Sequence, residues 1–80
     1  MNSKIYNVLG LEVDLYHIIA VGPVLSTDNR FLQFYLYIGG DYGIENHRFN
    51  YDLEETPGID VYGARNELVG AWKETKRGVE

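Results

Sequence analysis

Apolar and polar residues alternate most regularly between residues 31 and 38, in the middle of the chain. Side chains on a strand point alternately to the two faces of a sheet, so this segment predicts a strand with two different faces. One face carries Phe31, Tyr35 and Tyr37 around a single glutamine. The other face is apolar throughout and consists of Leu32, Phe34, Leu36 and Ile38. We expect this aliphatic face to form the core.

A second alternating segment, residues 44 to 51, follows the glycine-rich sequence at residues 39 to 43. Within it, Phe49 and Tyr51 share a face with His47, as they would on a strand. The glycines between the two segments suit a turn that reverses the chain. We therefore predict that the second segment pairs antiparallel with the first.

The residues before the middle strand predict another antiparallel neighbour. Residues 17 to 24 are largely apolar and rich in β-branched side chains, which is typical of a buried strand. Gly22 and Pro23 should bend this strand, because proline donates no backbone hydrogen bond and glycine permits a bulge. Downstream, Asp28 and Asn29 suit the positive φ angles of a tight hairpin turn.

Two short apolar segments precede this region, and Gly10 separates them. Leu11, Val13 and Leu15 alternate with two acidic residues, which predicts a short strand that folds back across the glycine. Residues 5 to 9 have the composition of a strand but alternate poorly. A helix at the N-terminus is therefore an alternative to the hairpin.

The C-terminal quarter of the chain predicts a helix that begins near Pro57 or Asp60. Its apolar residues recur with a period of 3.6 and form one stripe suited to packing on the sheet. The residues of this stripe are Val61, Ala64, Leu68, Ala71 and Trp72. Basic residues near the end of the segment complement the dipole of a helix C-terminus.

Together these elements predict a single α+β domain over residues 1 to 80, a small antiparallel β-meander of four to five strands packed by one C-terminal α-helix. A short strand pair precedes a longer apolar strand that carries Leu15, Ile18 and Val21. In this order of elements, over residues 1 to 50, the chain resembles small LytTR-like β-rich modules. The resemblance implies a β-rich fold, but this chain lacks the basic surface that DNA binding by such modules needs.

Charge and composition exclude several classes of function. Twelve acidic residues against seven basic ones give a net charge of −5, so we expect no direct nucleic-acid binding. There is no cysteine, no signal-peptide pattern and no apolar run near the roughly 20 residues that span a bilayer. We therefore expect a cytoplasmic protein without a membrane segment. Eighty residues support only one modest core, which makes a homo-oligomer the expected state.

Candidate catalytic chemistry is sparse. His17 and His47 lack the close spacing of zinc motifs, and no serine or threonine stands in a strand-to-helix elbow. The acidic group at Asp52, Glu54 and Glu55 falls in an expected solvated connection, where carboxylates keep ordinary properties. We predict no catalytic residues, no metal site and no cofactor, and hence no enzyme.

The aromatic face of the middle strand is the predicted binding site. A single helix covers one face of a sheet, so aromatic residues on the other face stay exposed unless the N-terminal strands curl over them. Nearby arginines can supply polar anchors beside the aromatic rings. The predicted binding residues are Phe31, Tyr35, Tyr37, Arg48 and Arg30.

These observations favour a non-enzymatic binding or inhibitor protein, of the compact kind that phages and mobile elements encode, acting on a host component. An oligomeric sponge that buries a small nucleotide signal between tyrosines and arginines is the first alternative. A small regulatory module of a bacterial protein complex is the second. Gly63 and Gly70 lie seven residues apart on the polar side of the helix, so they predict either a second contact surface or tolerated surface glycines.

Overall fold

The computed structural model describes residues 4–40 and 43–77 of the chain. This part has an α+β fold of six antiparallel strands in two sheets, followed by one helix, which confirms the predicted fold class. The elements are β1 (Ile5–Val8), β2 (Leu11–Asp14), β3 (Ile18–Val21), β4 (Leu25–Thr27), β5 (Phe31–Gly40), β6 (Gly43–Asp52) and α1 (Val61–Arg77). The predicted single meander of four to five strands is instead a separate two-stranded sheet beside a four-stranded one.

Strands β1 and β2 form the separate hairpin. Its turn contains Leu9 and Gly10, which have φ angles of 51° and 91°. Glycine adopts such positive angles without the steric cost that a side chain imposes, which explains its place in this turn. The strand that folds back across Gly10 is confirmed, and the alternative of an N-terminal helix is wrong.

Strand β5 is the central strand of the larger sheet. It pairs with β6 in an unbroken register that runs from Phe31 opposite Asp52 to Gly40 opposite Gly43. On its other edge, β5 pairs with β4 through its N-terminal half and with β3 through its C-terminal half. The prediction that the two alternating segments pair with each other is therefore confirmed.

The segment predicted as a buried strand, residues 17 to 24, is shorter and lies at the edge of this sheet. Its start belongs to a 3-10 turn at Leu15–His17, and only β3 is extended. The backbone N–H of Gly22 donates a last hydrogen bond, 2.8 Å long, to the carbonyl of Tyr35. Pro23 follows and has no N–H, so the ladder stops there until β4 resumes it. The strand is thus interrupted at Gly22 and Pro23, and its register shift lies earlier, between Ile18 and Ala20. The predicted burial is only partial, because β3 pairs only with β5 in the described part of the chain and its other side is an edge of the sheet.

The predicted hairpin turn before β5 is confirmed. Asp28 and Asn29 have φ angles of 56° and 52°, the left-handed pair that a type I′ turn requires. The backbone N–H of Arg30 donates to the carbonyl of Thr27 across the turn, at 3.0 Å. This turn sets the direction of the chain at Arg30 and Phe31, where β5 begins.

One hydrophobic core lies on the aliphatic face of β5. Its buried members are Val8, Val13, Leu15, Ile18, Leu32, Phe34, Leu36, Phe49, Val61 and Leu68. The ring of Phe34 is fully buried and stacks on Phe49 with 4.8 Å between the ring centroids. Ile38 and Trp72 are partly buried and pack against this cluster. The predicted core is therefore confirmed, with these two residues at its margin.

Helix α1 begins directly after Asp60, as predicted. Two of its side chains form hydrogen bonds to the backbone of β3 and of Gly22, which follows it. The Nε of Arg65 donates to the carbonyl of Gly22 at 2.8 Å. The indole Nε1 of Trp72 donates to the carbonyl of Ile18 at 3.2 Å. Because α1 and the β1–β2 hairpin both contribute to the one core, both pack on the aliphatic side of the larger sheet.

Candidate functional site

The face of the larger sheet opposite the core is uncovered in the part of the chain that the structure describes. Within residues 4–40 and 43–77, none of its large side chains belongs to the core or packs against it. We call this surface the open face. It is defined by six side chains, Ile19, Leu25, Phe31, Tyr35, Tyr37 and Ile44. The N-terminal strands do not curl over it, since Val8 and Val13 lie in the core on the other side.

The strand registers bring three aliphatic residues to the open face that sequence analysis did not place there. Leu25 lies opposite Gln33 and Ile44 lies opposite Gly39, and directly opposite residues share a face. The side chain of Ile19 extends across Gly39, where its Cδ1 lies 3.0 Å from the position of an added Cβ. These three aliphatic side chains keep 46 % (Ile19), 47 % (Leu25) and 69 % (Ile44) of their surface exposed.

Two tyrosines and one arginine occupy the middle of the open face. The rings of Tyr35 and Tyr37 stack with 6.3 Å between centroids and 26° between planes. Arg48 lies directly opposite Tyr35 on β6 and is exposed. Among the carboxylates that the structure describes, none lies within salt-bridge distance of Arg48. The face therefore combines stacked phenol rings with a guanidinium that is free to bind a carboxylate or phosphate.

Arg30, the other predicted anchor, is already paired within the chain. Its Nε and Nη2 donate to the two carboxylate oxygens of Asp52 at 2.9 and 2.8 Å, and Glu54 lies 3.6 Å away. These hydrogen bonds lower the pKa of Asp52 and raise the pKa of Arg30. The guanidinium also lies 5.0 Å from the centroid of the Phe31 ring. Arg30 thus links the start of β5 to the end of β6. Of the two predicted anchors, Arg48 is the one that remains available to bind a ligand.

The two glycines of α1 differ in what surrounds them. The carboxylate of Asp60 caps the helix by accepting a hydrogen bond from the N–H of Gly63 at 2.8 Å, and a Cβ on Gly63 would collide with that carboxylate. Gly70 is exposed, and nothing described lies within 4 Å of where its Cβ would be. The cap accounts for the glycine at position 63, so Gly63 and Gly70 do not together form a contact surface on α1.

Replacing Gly70 with Ala should stabilise the protein by about 0.5 to 1 kcal/mol, because alanine restricts the unfolded chain and fits this helical site. The matched change Gly63→Ala should destabilise it, because the added methyl displaces the capping carboxylate. Urea denaturation of both variants measures the difference. Equal effects at the two sites would contradict the role of Asp60 as the cap.

A pocket of about 310 Å³ lies between β2 and the hairpin end of β5 and β6. Among the residues that the structure describes, its polar lining includes Glu12, Asp14, Glu45 and His47 and contains no hydroxyl, thiol or amine nucleophile. His17 lies outside this lining, with its Nδ1 4.0 Å from an oxygen of Asp14. Within the described ranges, no group of three or more histidine and acidic side chains is placed to hold a metal ion. The open face is therefore the better candidate site.

The described part of the chain contains no helix with the length and apolar character needed to cross a lipid bilayer. The chain matches no protein family model, no curated protein and no solved structure. The resemblance to LytTR-like modules thus remains a likeness in the order of elements. A functional assignment has to rest on the residues of the open face.

Proposed function

We propose that this chain is a non-enzymatic binding protein that uses its open face to occupy a surface of another protein. The observation that carries the proposal is the group of large apolar and aromatic side chains around Arg48 on an uncovered sheet face. Contiguous apolar surface of this kind on a small protein marks interaction sites. Tyrosine and arginine are also the residue types that most often dominate binding energy at protein interfaces.

The shape of the open face favours a protein over a small molecule as its ligand. Pockets for small molecules are concave and bury most of the ligand, whereas a sheet face offers a broad surface. The stacked tyrosines and Arg48 lie at its centre, and Asn46 and Asn50 lie on the same face of β6 as polar neighbours. Aromatic residues and arginine are the residue types enriched at protein interfaces. The complementary partner presents an apolar patch and a carboxylate for Arg48.

A nucleotide is the second candidate ligand, and the position of Arg48 opposite Tyr35 favours it. A base can stack on the half-buried tyrosine rings while the guanidinium binds a phosphate. One open face contacts only one side of such a ligand, so this function needs a second protein surface above it. It differs from the first candidate because the retained ligand is small and is released intact on denaturation.

Native mass spectrometry of the protein purified from its own host identifies the retained ligand, and binding to variants then tests the open face. The double change Tyr35→Ser and Tyr37→Ser should weaken binding by about 2 kcal/mol, or about 30-fold, because buried interface tyrosines are frequent hot spots. The melting temperature should change little, since neither ring packs against the core.

The matched control is Glu67→Ser with Lys73→Ser, two exposed positions on α1, which should leave binding unchanged. Undiminished affinity in the folded tyrosine variant would exclude the open face as the binding site. A ligand that the protein converts to product would instead exclude a purely binding role.

A further inference from the structure

The two edges of the larger sheet differ in how far they are protected from pairing with another strand. One edge consists of β3 and β4, which have four and three residues, with a register shift inside β3 and Pro23 between them. Arg65 also covers this edge, because its guanidinium donates to the carbonyls of Gly22 and Val21 at 2.8 and 3.5 Å. Short strands, bulges, prolines and covering side chains are the devices that keep sheet edges from joining.

The other edge, formed by β6, has none of these four devices, although it carries two exposed charged side chains, Glu45 and Arg48. This strand is ten residues long, contains no proline or lysine, and pairs with β5 without a register shift. Within residues 4–40 and 43–77, no strand pairs with its outer side. An edge that is long, regular and uncovered is a template for pairing with another chain.

The backbone groups that this edge offers follow from the pairing register. The ladder continues beyond the strand through a hydrogen bond of 2.8 Å from the N–H of Leu53 to the carbonyl of Arg30. Along an antiparallel strand, the backbone N–H and carbonyl groups of successive residues point alternately toward one neighbouring strand and away from it. Because Leu53 bonds to Arg30, the odd-numbered residues of β6 also bond to β5. The residues of β6 whose N–H and carbonyl groups point outward are Ile44, Asn46, Arg48, Asn50 and Asp52, although the carbonyl of Asp52 already accepts hydrogen bonds from the N–H groups of Glu55 and Thr56.

We propose that two copies of this chain associate through β6, antiparallel about a two-fold axis, so that their larger sheets become one. A second copy fits this edge because an antiparallel strand pair is self-complementary about such an axis. The strand is also close to neutral despite the net charge of −5, with Glu45 and Arg48 as its exposed charges and Asp52 paired with Arg30. Repulsion between the two acidic chains is therefore low at this seam.

The register centred on His47 suits both the backbone and the charges. With His47 opposite His47 of the second copy, Asn46 pairs with Arg48 and Ile44 with Asn50, so residues 43–51 of the described strand pair with each other. A shift by one residue pair in one direction shortens this paired stretch of the described strand to residues 43–49. The opposite shift sets Arg48 against its own copy, and like charges directly opposite each other destabilise a sheet. The proposed dimer is therefore centred on His47.

In this dimer the two open faces lie on the same side, because the two-fold axis is perpendicular to the sheet. Tyr35 and Arg48 of both copies then belong to one continuous surface of twice the area. The dimer does not depend on the proposed function, since it uses the backbone edge of β6 and not the side chains of the open face.

Because the chain contains no cysteine, single-cysteine variants test the dimer directly. In the proposed register residue 47 forms a pair that is not hydrogen-bonded, with about 4.5 Å between the two Cα atoms. That separation suits a disulfide, so His47→Cys should form a covalent dimer on mild oxidation. Ser26→Cys, exposed on the protected edge, is the control. At micromolar protein the first variant should cross-link about 100-fold faster, since its thiols meet within one complex.

Sedimentation of cysteine-free protein supplies the second measurement. The wild-type chain should sediment as a dimer, and Asn46→Pro should sediment as a folded monomer, because the N–H it removes points away from β5. Asn46→Ala keeps that N–H and should remain a dimer. A monomeric wild-type protein, equal cross-linking of the two cysteine variants, or a dimer that survives Asn46→Pro would overturn the proposal. If Asn46→Pro does not fold, the cross-linking comparison still decides.

Discussion

Phe34→Ala should lower the free energy of unfolding by about 4 kcal/mol, which is most of the stability expected of a chain this small. The ring is fully buried and stacks on Phe49 with 4.8 Å between centroids. It also lies in the middle of β5, which is paired on both edges. The backbone therefore cannot move inward to fill the cavity, and the variant loses both the packing and the transfer free energy. Urea denaturation followed by circular dichroism measures this loss.

Two controls separate the cavity from other causes. Phe34→Leu keeps most of the buried volume and should cost no more than about 1.5 kcal/mol. Tyr35→Ala, one residue away on the open face, should change stability far less, because its ring does not pack against the core. A loss below about 1 kcal/mol for Phe34→Ala would show that the core does not depend on this ring.

The elements that sequence analysis predicted are those whose signals are local. Alternation along residues 31 to 38 specifies a strand and its two faces whatever the neighbouring strands are. The turn at Asp28 and Asn29 depends on the φ preferences of those two residues alone. The start of α1 depends on Asp60 as a cap, within one helical turn.

The position of β3 was not predictable in the same way. The β-branched residues of Ile18–Val21 indicate an extended segment, but they do not specify its neighbours. Its place follows from the long β5–β6 hairpin, which occupies one side of β5 and leaves the other to two short strands. Pro23 was the one sequence signal of an edge, because proline is excluded from central strands.

The candidate site was predictable in part. Alternation alone places Tyr35 and Tyr37 on the face opposite the core. The distinction between Arg30 and Arg48 depends on the register, which sets Arg30 beside Asp52, 22 residues away in sequence. The contribution of Leu25 also depends on the register, which sets it opposite Gln33, whereas alternation with Phe49 already places Ile44 on the open face.

Trp72→Ala should lower the free energy of unfolding by about 2 to 3 kcal/mol, less than the loss expected for a fully buried tryptophan. The ring is only partly buried, at the margin of the core. The Nζ of Lys76, an exposed residue of α1, lies 4.1 Å from the ring centroid. The part of the ring in contact with solvent contributes little when it is removed. The rest packs on the core and holds α1 against β3.

The hydrogen bond from the indole Nε1 to the carbonyl of Ile18, 3.2 Å long, contributes separately from this packing. Trp72→Phe keeps an aromatic ring but removes the donor, so it should cost about 1 kcal/mol, the usual net value of one hydrogen bond. The difference between the two variants then measures the packing of the ring. Equal losses for Trp72→Phe and Trp72→Ala would mean that Trp72 stabilises α1 through this hydrogen bond and not through the packing of its ring, which would contradict the packing contribution expected here and leave the apolar attachment of α1 to Val61 and Leu68.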